Sequence, residues 1–266
     1  MNRSYLFAPG HNEKLLGKVF DAGADAVILD LEDAVPPEHK VAARHHVARV
    51  LWHRPAWVRI NAARTPLAEA DLQAIAAVAY GIRVPKVESA DDVRWVADRA
   101  RGKPLICAIE SAKGVANALT IAAEPAVKYL ALGGIDLQKD LGVASGDAPL
   151  HYVRSHLVVA SRAAGLEPPI DSVYPYLKDT KGLRRQTCLS RSLGFFGKSA
   201  IHPSQLPVIH TEFSPREDEL QWARTVLEAF DKANGSAVSL PGGEFVDLPV
   251  AERARKILKL SESLSS

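Results

Sequence analysis

The feature that most constrains this chain is an alternation repeated eight times: an apolar run of four to six residues, then a stretch of helical periodicity. The runs fall at 5–8, 27–30, 57–61, 82–87, 105–109, 129–132, 169–173 and 195–200, most of them ending in polar or turn residues. Short apolar runs bounded in this way read as strands buried on both faces. Between them, apolar residues recur at helical spacing near 12–21, 38–51, 67–79, 90–101, 114–123, 152–164 and 181–193. Asn12 is placed to cap the first of these helices, and Pro36-Pro37 opens the second. Eight βα units in about 210 residues, with short connections, predict a closed parallel TIM (β/α)8 barrel. A doubly wound sheet is the competing arrangement, but no Gly-x-Gly-x-x-Gly follows the first strand. Beyond Pro203 the pattern becomes helical, near 217–233 and 249–260, on either side of a turn-rich stretch at 239–247. The expected organisation is a barrel over 1–211 and a C-terminal helical extension over 212–266, which packs on the barrel or reaches a neighbouring subunit.

Charge narrows the partners. The 33 basic and 31 acidic residues nearly cancel, so no global field draws nucleic acid or an anionic membrane. Any anionic ligand must be held by a local cluster. Two cysteines far apart suggest neither a disulfide framework nor a zinc site, which fits a reducing cytoplasm. The apolar stretch at the N-terminus is too short for a signal peptide, and no segment reaches the roughly 18 apolar residues of a membrane span. A soluble cytoplasmic protein is expected.

In a barrel the C-terminal ends of the strands converge on one face, where catalysis takes place. The polar residues expected there are Asp30, Glu32 and Asp33; Arg59 and Asn61; Lys86 and Glu88; Glu110 and Ser111; Asp136; Asp171; and Lys198 and His202. So many carboxylates repel one another unless a cation joins them. Oxygen ligands without a His or Cys cluster favour Mg²⁺ over Zn²⁺, and Glu110 with Asp136, ending adjacent strands, is the best ligand pair. Either acid alone is equally well read as a helix N-terminal carboxylate; together they favour a metal site. Gly133-Gly134 before Ile135 promises open backbone N–H groups, a cradle for a small carboxylate. Arg59 is costly to bury unpaired, so it is expected to pair with Glu32 or Asp33, to clamp a substrate oxyanion, or both. Lys86 has the context of a Schiff-base lysine, but nearby Glu88 argues for a salt bridge instead. His202 reads as a structural hydrogen-bonder and Asp30 as a structural acid.

Eight short motifs then occur in order. They are Phe7-Ala8-Pro9-Gly10, Leu29-Asp30-Leu31-Glu32-Asp33-Ala34-Val35, Val58-Arg59-Ile60-Asn61 and Pro85-Lys86-Val87-Glu88-Ser89. Ile109-Glu110-Ser111, Leu132-Gly133-Gly134-Ile135-Asp136-Leu137, Gly197-Lys198-Ser199-Ala200-Ile201-His202-Pro203 and Val246-Asp247-Leu248-Pro249 follow. Across nearly its whole length the chain resembles the citrate lyase β-subunit-like branch of the HpcH/HpaI aldolase family. One departure is His11, where that family often has Asn or Asp.

The resemblance implies a Mg²⁺-dependent TIM barrel that makes or breaks a carbon–carbon bond between a thioester enolate and a 2-oxo acid. Its substrates would be citryl, malyl or citramalyl thioesters carried on CoA or an acyl-carrier protein. Trimers or hexamers are implied, with the C-terminal segment reaching a neighbouring active site. Glu110 and Asp136 would hold the metal, and Arg59 the substrate oxygen, with Gly133, Gly134 and Ile135 binding substrate. Glu32 and Asp33 would support Arg59 and metal-bound water, and Asp247 would be the acid/base. Two other readings remain open: a thioester-independent aldolase of 4-hydroxy-2-oxo acids, and a catalytically silent lyase-like subunit. The Leu-Glu-Asp-Ala-Val run and the Val-Asp-Leu-Pro tail favour the thioester branch.

Overall fold

Seven of the eight expected strands form, and they pair in parallel, in the order β6-β5-β4-β3-β2-β1-β7. The computed structural model describes residues 1–265. The strands are β1 (Ser4–Pro9), β2 (Ala26–Asp30), β3 (Trp57–Arg59), β4 (Gly81–Val84), β5 (Leu105–Ile109), β6 (Val127–Leu132) and β7 (Lys198–Ala200). The expected strand at 169–173 does not form. It touches the sheet only through two isolated bridges, Ile170 to Ala131 of β6 and Asp171 to Lys198 of β7. Pro168 and Pro169 lack the N–H groups that a ladder requires, which leaves two pairing residues. The molecule therefore has a seven-stranded curled parallel sheet with helices on its outer face.

Other elements are shortened for equally local reasons. β4 stops at Val84 because Pro85 has no N–H and Lys86 turns to φ +52°. β7 starts late because Gly197 holds φ +100°, where a Cβ would lie 2.5 Å from the Asn2 carbonyl. Between the strands run α1 (Glu13–Lys18), α2 (Lys40–Leu51), α3 (Pro66–Ile75) and α4 (Ala90–Ala97). The expected helix at 114–123 is broken at Asn117 into α5 (Ala112–Ala116) and α6 (Ala118–Ala122). α7 (Gly134–Leu141) opens on Gly-Gly despite its poor helix propensity, and has Asp136 in its first turn, as the helix N-terminal reading of that acid requires. α8 (His151–Ala163) and α9 (Thr180–Leu193) complete the layer. Asn12, Thr65, Ser89, Ser111 and Asp179 each cap a helix with a side-chain oxygen.

The sheet's interior has two storeys. In the lower one, Tyr5, Ile28, Trp57, Ile106, Tyr129, Ala131 and Ile170 form an apolar cluster. Tyr129 meets Tyr5 and Trp57 edge-on, both at 6.3 Å between ring centres. Gly81 yields its space to Trp57, whose ring atoms would lie 2.3 Å from an added Cβ. Two residues further along each strand, side chains point to the same side again. There the residues become Phe7, Asp30, Arg59 and Arg83. The alternation thus places a charged layer directly on an aromatic floor.

Asp171 and Lys198, expected at the catalytic face, instead point outward into the helical layer. Asp171 is fully buried and accepts from Lys198 Nζ (2.5 Å), Ser190 Oγ (2.8 Å) and Arg154 Nε (3.4 Å). Lys198 Nζ also donates to Gln186 Oε1 at 2.7 Å. Burial pushes the Asp171 carboxyl up, but Lys198 and Arg154 outweigh it and hold it below the ordinary carboxylate range. The reason for the correction is register: bridging places Ile170 inside, so its neighbour Asp171 must face out.

The chain divides into two compact units, Met1–His210 and Thr211–Ser266. The second is built from α11 (Glu217–Lys232), a short hairpin of β8 (Val238–Ser239) and β9 (Phe245–Val246), and α12 (Leu248–Ser265). Its core is Ala223, Val226, Phe230, Val246, Ala251 and Ala254. A further helix, α10 (Leu206–Phe213), precedes α11. No helix among the described residues is long and apolar enough to cross a membrane.

Asp171→Ala strands Lys198 and Arg154 in the interior and should cost about 3 kcal/mol by urea denaturation at pH 7. Because the folded-state pKa of Asp171 is depressed, its contribution is complete above about pH 4 and drains away as the pH falls below that. The gap between variant and wild type should narrow accordingly in acid. A gap that is small at pH 7 would contradict the network.

Candidate active site

The charged upper storey opens into a cleft of about 330 Å³ lined by Phe7, Asp30, Arg59, Arg83, Glu110 and Asp136, among others. Arg59, ending β3, is its best-fixed member. Its Nε and Nη2 donate to the two oxygens of Asp30 at 2.7 and 2.6 Å, a bidentate fork, and its Nη1 stands 2.9 Å from Glu32 Oε2. Its guanidinium also lies 5.0 Å from the centre of the Phe7 ring. Burial works against the charge, but Asp30 and Glu32 outweigh it, so the Arg59 pKa is raised. The expected pairing with Glu32 is present. The pairing with Asp33 is not, and Asp30 takes its place because it is in register with Arg59 on the adjacent strand. Asp30 also accepts the Glu32 and Ala34 amides at 2.9 and 3.3 Å, so it shapes the loop that carries Glu32 and Asp33.

Lys86 is not the partner of Glu88. Its positive-φ turn directs the ammonium to Glu32 (2.5 Å) and Asp33 (3.3 Å), which raise its pKa against burial. Glu88 instead pairs with Lys113 at 3.2 Å and accepts from Ser111 Oγ at 2.9 Å. Asp33 is thus a 56% exposed acid at the rim, while Glu32 is buried between Arg59 and Lys86. Burial pushes the Glu32 carboxyl up, partly offset by both cations. His202 faces the Ser204 hydroxyl at 2.8 Å, the structural role expected of it. Asn61 bonds Asp71 and the Leu31 carbonyl and serves the wall, not the cleft.

Glu110 is 7% exposed and, among the described residues, accepts only a long bond, from the Lys86 amide at 3.2 Å. Burial first, then Glu32 and Asp136, push its carboxyl up to about 7. Gly133 is required by this acid, since an added Cβ would lie 2.2 Å from Glu110 Cγ. The amide cradle expected at Gly133-Gly134 is not open. The Gly133 N–H bonds the Ile109 carbonyl and the Gly134 N–H bonds Ser172 Oγ, both at 3.0 Å. The α7 ladder begins with Leu137 N–H to the Gly133 carbonyl, so the amides outside it are those of Ile135 and Asp136. Ile135, half exposed, lines the cleft beside Asp136. Asp247 belongs to the second unit, where Oδ1 caps α12 by accepting the Val250 amide at 3.2 Å.

Two cations escaped sequence reasoning. Lys40 Nζ donates to the Leu31 and Glu32 carbonyls (2.6 and 2.7 Å) and to Asn61 Oδ1 (2.8 Å), pinning the loop after β2. It opens a helix nine residues later, and no local signal announces that reach. Arg83 did carry a signal: a lone charge two residues after Gly81 in an otherwise apolar strand.

The strand ends of this parallel α/β sheet thus bring two carboxylates, Glu110 and Asp136, and a forked arginine into one cleft, the place where enzymes built on such sheets carry their chemistry. A sequence model of the HpcH/HpaI aldolase/citrate lyase family matches residues 3–203, and the chain belongs to that family. It is 36% identical over 274 residues to a (3S)-malyl-CoA thioesterase of Cereibacter sphaeroides, covering 99% of this chain and 96% of the relative. It is 30% identical over 293 residues to the mitochondrial citramalyl-CoA lyase of Mus musculus, covering 98% and 86%. Among solved structures, protein CitE of Mycobacterium tuberculosis in complex with magnesium, acetoacetate and coenzyme A matches with a TM-score of 0.86. That match has 32% identity and covers 97% of either chain.

The fork predicts a contrast between neighbouring acids. Asp30→Ala should destabilise the protein by about 3 kcal/mol, because it leaves a largely buried guanidinium without its main partner. Asp33→Ala, removing an exposed acid, should stay within about 0.5 kcal/mol. Chemical denaturation of the two variants side by side checks this, and equal effects would contradict the pairing.

Proposed function

We propose that this chain is a Mg²⁺-dependent carbon–carbon lyase that cleaves a 3-hydroxyacyl thioester, of the malyl, citramalyl or citryl class, into an acyl thioester and a 2-oxo acid. The observation that carries this reading is the cleft itself: Glu110 and Asp136 beside an Arg59 that Asp30 and Glu32 hold in a fixed orientation. The relatives' names, citramalyl-CoA lyase among them, and the magnesium and coenzyme A bound to the similar CitE structure support it. They also favour it over a thioester-independent aldolase.

The donor set fits a hard divalent cation. Glu110 is buried, pushed up to about 7, and sits in one cleft with a second carboxylate, an arrangement a cation would relieve. Glu110 and Asp136 would hold Mg²⁺, which supplies Lewis acidity to the acid end of the substrate. Arg59 would hold the oxygen on which charge develops, worth about 3 kcal/mol if it acts as an oxyanion donor. Its fork with Asp30 keeps it from relaxing away. Glu32, buried between Arg59 and Lys86, would orient Arg59 and first-layer water, and Asp33 would assist from the rim. Ile135, with the open amides at the start of α7, would position the substrate, while Gly133 and Gly134 give Glu110 and Ser172 their places. As the carbon–carbon bond breaks, the 3-hydroxyl proton leaves and the enolate carbon must gain one; Asp247 is the donor we assign. We further assign Asp247 to a neighbouring subunit of a trimer or hexamer, and Ile170-Asp171 to the missing stave of an eight-stranded barrel. The acyl carrier would be CoA, with acyl-carrier protein the alternative.

A second reading, hydrolysis of the thioester, is favoured by the (3S)-malyl-CoA thioesterase relatives. One assay separates the two. The chain is incubated with malyl-, citramalyl- and citryl-CoA, with Mg²⁺ or with EDTA, and products are resolved chromatographically. The lyase reading expects a 2-oxo acid with Mg²⁺ and none with EDTA. Free CoA thiol with the intact hydroxy acid would establish hydrolysis instead. Arg59→Lys, which keeps the charge and loses the fork, and Asp136→Ala should each lower turnover about 100-fold or more. Wild-type rates in either variant would sink the site assignment.

A further inference from the structure

Among the described residues, one cation in the cleft has no hydrogen-bond or ion-pair partner. Arg83 stands on β4 in register with Arg59 on β3, and the two guanidinium groups lie 5.3 and 5.0 Å from the centre of the same Phe7 ring. Arg59 has Asp30 on its Nε and Nη2 and Glu32 beside its Nη1. Arg83 is 4% exposed, lines the cleft, and donates no hydrogen bond among the described residues; its Nε and Nη1 are buried and unsatisfied. The nearby acids are otherwise engaged: Asp30 by Arg59, Glu32 by Arg59 and Lys86. Glu110 and Asp136 belong to the proposed metal.

A buried guanidinium with idle donors is costly, and an apolar side chain of similar length would be more comfortable there. The neighbouring Arg59 adds repulsion, and Arg83's pKa falls to about 10 through burial and that charge. What would relieve it is an anion entering from the cleft. A carboxylate suits it best, because a guanidinium fork matches carboxylate geometry.

We propose that Arg83 is a specificity-determining residue that binds a second carboxylate on the acid half of the substrate, so that the enzyme selects thioesters releasing a dicarboxylic 2-oxo acid over those releasing a monocarboxylic one. The proposal rests on the lyase reading above and adds to it the identity of the acid half. A methyl or hydrogen in place of the carboxymethyl group that bears this carboxylate leaves the guanidinium buried and unpaired. A site built to bond a polar group rejects an analogue lacking it for this reason.

The test is an equilibrium titration of the Mg²⁺-loaded protein with oxaloacetate and with pyruvate, followed by calorimetry, for wild type and Arg83→Met. Wild type should prefer oxaloacetate by about 10- to 100-fold, the worth of a hydrogen-bonded charge pair. In Arg83→Met that preference should collapse to under about threefold, with pyruvate affinity nearly unchanged. The variant should melt no lower than wild type, since it removes an unpaired buried charge; a clear drop would mark Arg83 as a structural prop and overturn the proposal. A wild type without preference, or equal losses for both acids, would overturn it as well. In turnover, citryl-CoA should lose ground to citramalyl-CoA in the variant. If wild type cleaves neither, the lyase reading fails, and the titration still decides the role of Arg83.

Discussion

The fork between Asp30 and Arg59 is the contact on which the rest of the cleft depends. It joins the ends of β2 and β3, and the same carboxylate accepts the amides of Glu32 and Ala34. Through Glu32 it reaches Lys86, and Lys40 fixes the carbonyls of the same loop from beneath. Three strand ends and one loop are thus held by a chain of charge-assisted bonds sitting on an apolar floor. In so dry a setting each bond is stronger than it would be in water, and each missing partner is correspondingly more expensive.

Much of this could be read from the sequence, and what could not has identifiable physical causes. Strand periodicity gave the sheet, because runs such as Leu105–Ile109 are apolar on both faces and leave little ambiguity. It failed where one or two residues decide: Pro168-Pro169 erased a strand, and Asn117 broke a helix in two. The identity of the charged residues at the strand ends was legible, but their partners were not. Pairing depends on cross-strand register and on backbone turns such as that at Lys86, neither of which is written locally. Hence Asp30 took the place assigned to Asp33, and Glu88 went to Lys113 rather than Lys86.

Direction was the other illegible quantity. Asp171 lies in a two-residue bridge and Lys198 opens β7, and a shift of one residue decides whether a side chain enters the cleft or the helical layer. Arg83 is the reverse case. A charge in an apolar strand is conspicuous, but only the register with Arg59 shows that it points inward and remains unpaired. Lys40 could not have been found, because its reach spans a loop and a turn before meeting the Leu31 carbonyl.

Residues 170–172 carry a consequence that belongs to mechanics more than to chemistry. Ile170 belongs to the aromatic floor, Asp171 anchors the outer ion network, and Ser172 Oγ receives the Gly134 amide at the start of the helix bearing Asp136. Three successive side chains therefore clamp the inside, the outside and the mouth of one seam. Ser190 of α9 and Arg154 of α8 thus touch Asp171, whose next neighbour bonds the first turn of the helix that carries Asp136, so the outer helical layer and the mouth of the cleft are separated by a single residue of chain.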